Sequence, residues 1–124
     1  MSILHFLITD DNQQKREMLG IVIGRTFPTA SIYECYSGQE ALDYFSKNRV
    51  DVIVTDHDMA PVNGLELIEA VRRTGSTVPI IMVTGFVEIG EEARAAGANL
   101  VVTTRDIGKT GARIRDFLKA HRPT

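Results

Sequence analysis

Val52-Ile53-Val54-Thr55-Asp56-His57-Asp58-Met59-Ala60-Pro61-Val62-Asn63-Gly64 is the stretch on which the reading of this chain turns. Val50 to Thr55 is the clearest strand in the sequence, and Asp56 stands at its end. Ile3 to Thr9 is another short, continuous apolar run, with the look of a strand buried on both faces. It too ends on carboxylates, Asp10 and Asp11.

Outward from these two runs, strands and helices alternate. Gln14 to Phe27 places Met18, Leu19, Val22 and Ile23 at helical spacing, and Pro28 closes it. Ser31 to Tyr36 reads as a strand. Ser37-Gly38-Gln39-Glu40 has the form of a capping box, opening a helix with a stripe of Ala41, Leu42 and Phe45. Gly64 leads into a helix carrying Leu65, Leu67, Ile68 and Val71. Val78 to Val83 is a fourth strand, Glu91 to Ala96 a short helix, and Leu100 to Thr103 a fifth strand. Ile107 to Ala120 is a final helix along Ile114, Phe117 and Leu118. Five strand–helix repeats predict an α/β fold, a parallel sheet covered by helices on both faces. In such sheets ligands bind outside the carboxyl ends of the strands. That edge collects Asp10, Asp11, Asp56, Thr84 and Thr104.

The 124 residues fit one domain, 1–124. A hydrophobic content of 44% supports a packed core, and a net charge of -2 argues against direct nucleic-acid binding. No run approaches a membrane span, and no signal peptide is recognisable. The one cysteine, Cys35, reads as a buried, inert thiol, and a cytoplasmic setting is expected.

Carboxylates converging on one edge repel one another unless a cation joins them. Mg²⁺ takes one or two carboxylates and keeps positions for phosphate oxygens. A carboxylate beside such an ion can act as a nucleophile and form an acyl phosphate.

Three further segments have to be taken with the first. Leu7-Ile8-Thr9-Asp10-Asp11-Asn12, Pro79-Ile80-Ile81-Met82-Val83-Thr84-Gly85 and Ala95-Ala96-Gly97-Ala98-Asn99 stand around Val52–Gly64 in an order that resembles the receiver domains of bacterial two-component response regulators. The resemblance spans nearly the whole chain. It implies a three-layer, doubly wound (βα)5 fold, flavodoxin-like, with strand order 2-1-3-4-5. It implies Asp56 as the phosphoacceptor, Asp11 as a direct Mg²⁺ ligand, Asp10 as one acting through water, and the backbone carbonyl of Asp58 as another ligand. Thr84 would be the switch hydroxyl, and Gly85 would leave room for the phosphate. The implied partners are a histidine kinase or phosphotransfer protein and a downstream protein.

The chain departs from that pattern. The family's lysine falls on Thr104, its following proline on Arg105, and its aromatic switch on Val101. Arg105 and Lys109 are the nearby cations, and the sequence leaves open whether either replaces the lysine. Without a replacement the metal-free site is expected to keep uncompensated negative charge, so that Thr104→Lys would stabilise it. Lacking the proline, the Thr104–Arg105 peptide is expected to be trans. His57 points away from Asp56 by strand alternation, His5 is a packing residue, and the basic C-terminal helix (Arg113, Arg115, Lys119, Arg122) reads either as a solvated face, the default, or as a docking surface for an acidic downstream partner. Two other readings compete. One is an unphosphorylated pseudo-receiver serving as a protein scaffold. The other is a Mg²⁺-dependent phosphatase using Asp56-His57-Asp58, which leaves Asp10 and Asp11 unexplained.

Overall fold

The computed structural model describes residues 3–121. Its strands are β1 (His5–Thr9), β2 (Ser31–Cys35), β3 (Val52–Thr55), β4 (Ile80–Thr84) and β5 (Leu100–Thr103). They alternate with α1 (Gln13–Thr26), α2 (Gly38–Lys47), α3 (Gly64–Arg73), α4 (Gly90–Ala96) and α5 (Thr110–Ala120). All pairings are parallel, in the order β2-β1-β3-β4-β5.

The two-residue period of a strand divides the core. Leu7, Ile53, Ile80 and Met82 face one side, where Ala41 of α2, Leu67, Ile68 and Val71 of α3, and Ala93 of α4 cover them. Phe6, Ile8, Val52, Val54, Ile81, Val83 and Val102 face the other, against Leu19 and Ile23 of α1 and Ile114 of α5. The central strands β3 and β4 are buried along their whole length, whereas β2, at the sheet's edge, shows a polar face.

Local chemistry sets where the helices begin. The Asn12 side chain accepts from the Lys15 N–H at 2.9 Å and starts α1. Asn63 and Glu66 form a complete capping box at the start of α3, each bond 2.9 Å. The box expected at Ser37 is only half made. Ser37 accepts from the Glu40 N–H at 3.1 Å, and the return bond from the Glu40 side chain is not made.

Two further readings are corrected. Met18 is exposed, because the buried stripe of α1 runs through Leu19, Val22 and Ile23. The last helix does not start at Ile107. Thr104–Lys109 forms a 3₁₀ segment with non-helical φ/ψ at Asp106, and the α-helix proper begins at Thr110. The fourth helix is short, as expected, after a 3₁₀ turn at Val87–Ile89.

Helices α1 and α5 meet at Gly111. A Cβ there would collide with the Thr26 side chain and stand 3.0 Å from the Val22 carbonyl oxygen. Gly111→Ala is therefore expected to destabilise the fold by about 1–3 kcal/mol. A lower urea midpoint with an unchanged slope checks this.

Candidate functional site

The register of the sheet assembles the site. Thr9 pairs with Thr55 across β1 and β3, so the next residues, Asp10 and Asp56, emerge side by side. Backbone bonds hold both: Asp10 N–H donates to the Cys35 carbonyl and Asp56 N–H to the Thr9 carbonyl, each at 3.1 Å. Both continue the alternation of Phe6 and Ile8, and of Val52 and Val54, and so belong to the α1/α5 side. Asp10 and Asp56 are buried and Asp11 is exposed; carboxylate oxygens of the three lie within 4.8 Å of one another, a group able to hold a metal ion.

Gly64 permits this arrangement. A Cβ there would run into the Asp56 carbonyl oxygen and the His57 backbone. Only a glycine lets the first turn of α3 come this close to the end of β3. The Gly64 N–H donates to the His57 carbonyl at 2.9 Å and fixes the turn.

The cation at the site comes from α1. Lys15 Nζ lies 3.1 Å from Asp56 Oδ1 and 3.2 Å from Asp10 Oδ2, and donates to the Val83 carbonyl at 2.7 Å. Its side chain is only 13% exposed. Neither of the cations weighed from the sequence takes this place. Arg105 is exposed, and Lys109 is 74% exposed beside Asp106 at 3.7 Å. Lys15 therefore offsets part of the negative charge of the metal-free cluster, a compensation that the sequence reading left out. The Thr104–Arg105 peptide is trans, as expected.

Lys15 carried a sequence signal that the reading above missed. Cations in the first turn of a helix oppose its dipole, yet α1 opens with Lys15 and Arg16 and has no acid there. Acceptors outside the helix explain the pair. Arg16 donates to the Asp10 carbonyl at 2.8 Å and lies 3.5 Å from Glu34. A basic pair beginning four residues after an Asp-Asp, in a helix's first turn, was the clue.

Burial pushes the Asp10 carboxyl above the usual carboxylate range and the Asp56 charge adds to the push, while the Asn12 N–H and Lys15 pull it down. Asp10 Oδ1 accepts from Asn12 N–H at 2.9 Å. Oδ2 is fully buried and has no well-directed donor: Lys15 is near enough for an ion pair but not aligned for a hydrogen bond. Even with Lys15 beside it, ionised Asp10 thus weighs against the fold at neutral pH.

The other residues singled out by sequence sit around this cluster. Thr84 is buried, and its hydroxyl accepts from the Phe86 N–H at 3.2 Å. Thr104 faces Gly85, its hydroxyl 3.8 Å from where a Cβ on that glycine would lie. Asp58 is exposed, and its carboxylate is not part of the group. His57 lines a shallow hollow with Phe86 and Ile89, its Nδ1 buried without a partner among the described residues.

The sequence matches the response regulator receiver domain across residues 6–105. The chain belongs to that family. It is 34% identical over 94 residues to the response regulator MprA of Mycobacterium sp. (strain KMS), which covers 76% of this chain and 39% of MprA. The chain thus spans about two fifths of the length of such relatives. The chemotaxis response regulator CheY4 of Vibrio cholerae is 28% identical, with a TM-score of 0.77 over 91% of this chain and 99% of that one. The Francisella response regulator 1452 receiver domain shares the fold at a TM-score of 0.84 and 21% identity, over 96% and 99% of the two chains. Among the described residues no helix is long and apolar enough to cross a membrane.

Cys35 takes no part in this receiver's site. Burial, then the Glu40 carboxylate, pushes its thiol up to about 12. At pH 8 the thiolate is then on the order of one part in 10⁴. Labelling by a disulfide reagent at pH 8 should therefore follow the urea unfolding curve, and fast labelling of the native protein would contradict the buried placement.

Proposed function

We propose that this receiver takes a phosphoryl group on Asp56 from a histidine kinase or phosphotransfer protein, with Mg²⁺ bound by Asp10, Asp11 and Asp56. The observation carrying this reading is the convergence of three carboxylates with one ammonium at the strand ends. Three negative charges against one positive leave two in excess, which a divalent cation balances. The buried, poorly partnered Oδ2 of Asp10 and the all-oxygen donor set suit a hard ion. Mg²⁺ bound there supplies positive charge and coordination positions for phosphate oxygens.

The chain's own residues then have distinct tasks. An Asp56 carboxylate oxygen attacks phosphorus while the bond to the donor breaks, and the donor's imidazole nitrogen, or acetate from acetyl phosphate, leaves with the electron pair. The product is an acyl phosphate on Asp56. Asp10 and Asp11 hold the metal, joined by the Asp58 carbonyl. Thr84 turns its hydroxyl to a phosphoryl oxygen, and Gly85, with no side chain, keeps the approach open. Thr104, at the lysine position, offers a neutral hydroxyl at the rim. Self-phosphorylation from small donors and slow hydrolysis of the acyl phosphate are the extent of its chemistry. A cytoplasmic location fits a kinase partner.

Intact-mass measurement after incubation with Mg²⁺ and acetyl phosphate tests this. The wild type should gain one phosphoryl group, and neither Asp56→Asn nor the EDTA-treated protein should gain any. An adduct that survives Asp56→Asn would remove the assignment. An unmodified wild type would favour the scaffold reading, and rapid turnover of a phosphate ester the phosphatase.

Output is proposed to run through a protein that docks on the basic face of α5, where Arg113, Arg115 and Lys119 are exposed; Arg122 lies outside the described residues. Charge on such a face acts mainly on association rate. Arg113→Glu with Lys119→Glu should slow association with a cognate partner at low salt while leaving the melting temperature nearly unchanged. An unaltered on-rate would reduce the face to solvated surface.

A further inference from the structure

We infer that Lys15, on α1, is the cation that contacts the phosphoryl group, doing from the first helix what the family's lysine does from the end of β5. The inference rests on the phosphoacceptor reading of Asp56 and adds to it a residue outside the family's pattern.

The position of the ammonium carries the argument. Its three partners sit at the ends of three adjacent strands: Asp10 after β1, Asp56 after β3, and Val83 near the end of β4. It therefore lies across the end of β3, where an incoming phosphoryl group must arrive. An ammonium has three N–H donors, and here each has an oxygen within reach.

Burial excludes an incidental surface pair. Holding a long side chain at 13% exposure costs rotamer entropy and desolvation. The Val83 carbonyl bond and two carboxylates offset that cost only if the head stays in this place. Location at the start of a helix, against the dipole, adds a further penalty. The expenditure is intelligible if the charge is needed at Asp56.

Among the described residues no other cation pairs with Asp56. The alternation that sends Val102 toward α1 and α5 puts residue 104 on the same side of the sheet as Lys15. Threonine there provides no ammonium. The 3₁₀ segment that follows is closed on itself, with the Thr103 hydroxyl on Asp106 at 3.2 Å and Lys109 beside the same carboxylate. No proton moves in the step assigned to Lys15. It stays an ammonium, and its ion pair with Asp56 Oδ1 gives way to contact with a phosphoryl oxygen as charge builds on the transferring group.

The experiment compares wild type, Lys15→Met, Lys15→Gln and Lys15→Met with Thr104→Lys, each checked for folding by circular dichroism. Phosphorylation by acetyl phosphate at saturating Mg²⁺ is followed by intact mass, and binding of beryllofluoride, a phosphoryl mimic, is titrated separately. Both lysine variants should lose about tenfold or more in rate and in beryllofluoride affinity. Mg²⁺ affinity should hold or rise, since a competing cation has gone. Thr104→Lys in the Lys15→Met background should restore most of the loss. A merely structural lysine would lower the melting temperature without a rescue from position 104. Lys15→Gln keeps a donor for the Val83 carbonyl and reports if Lys15→Met does not fold. Wild-type rates in a folded lysine variant overturn the role of Lys15 alone. An inert wild type overturns it together with the phosphoacceptor reading, and if neither single variant folds, the lysine is structural and the inference fails.

Discussion

Three carboxylates held within one ion's reach are the condition under which the rest of this molecule is built. The parallel register that pairs Thr9 with Thr55 leaves Asp10 and Asp56 no freedom to separate. Asp10 is fully buried, so water cannot screen the repulsion. Relief must come from the protein or from a bound cation. The protein's share arrives from the first turn of α1, where Lys15 reaches residues at the ends of β1, β3 and β4.

Much of this was legible from the sequence because it depends on patterns close along the chain. Apolar strands ending on Asp, the Asn-Gly after Asp56 and the Thr-Gly at the end of β4 each report on their own surroundings, and the strand order followed from their resemblance to receiver domains. The failures came where one residue has two possible partners. The Glu40 side chain does not close the Ser37 box, although its backbone N–H does bond to Ser37. The last helix was started at Ile107, but Asp106 ties Thr103 and Lys109 into a tighter turn first.

Lys15 was missed for a different reason. The family pattern points to the loop after β5 for the counter-ion, and both cations there, Arg105 and Lys109, face solvent. In the sequence, 41 residues separate Lys15 from Asp56, and no periodicity joins them. What distinguished it was a local violation: a helix that begins with two cations and no acid. Such violations mark places where long-range electrostatics outweighs local preference.

The contact between Gly111 and Thr26 gives this relocation a mechanical side. Lys15 stands near one end of α1 and Thr26 at the other, roughly 17 Å away at 1.5 Å per residue. An α-helix of that length is stiff, and its far end rests on α5 where there is no slack to absorb a shift. Helix α1 thus ties the carboxylates at one end to the last helix at the other through one continuous element.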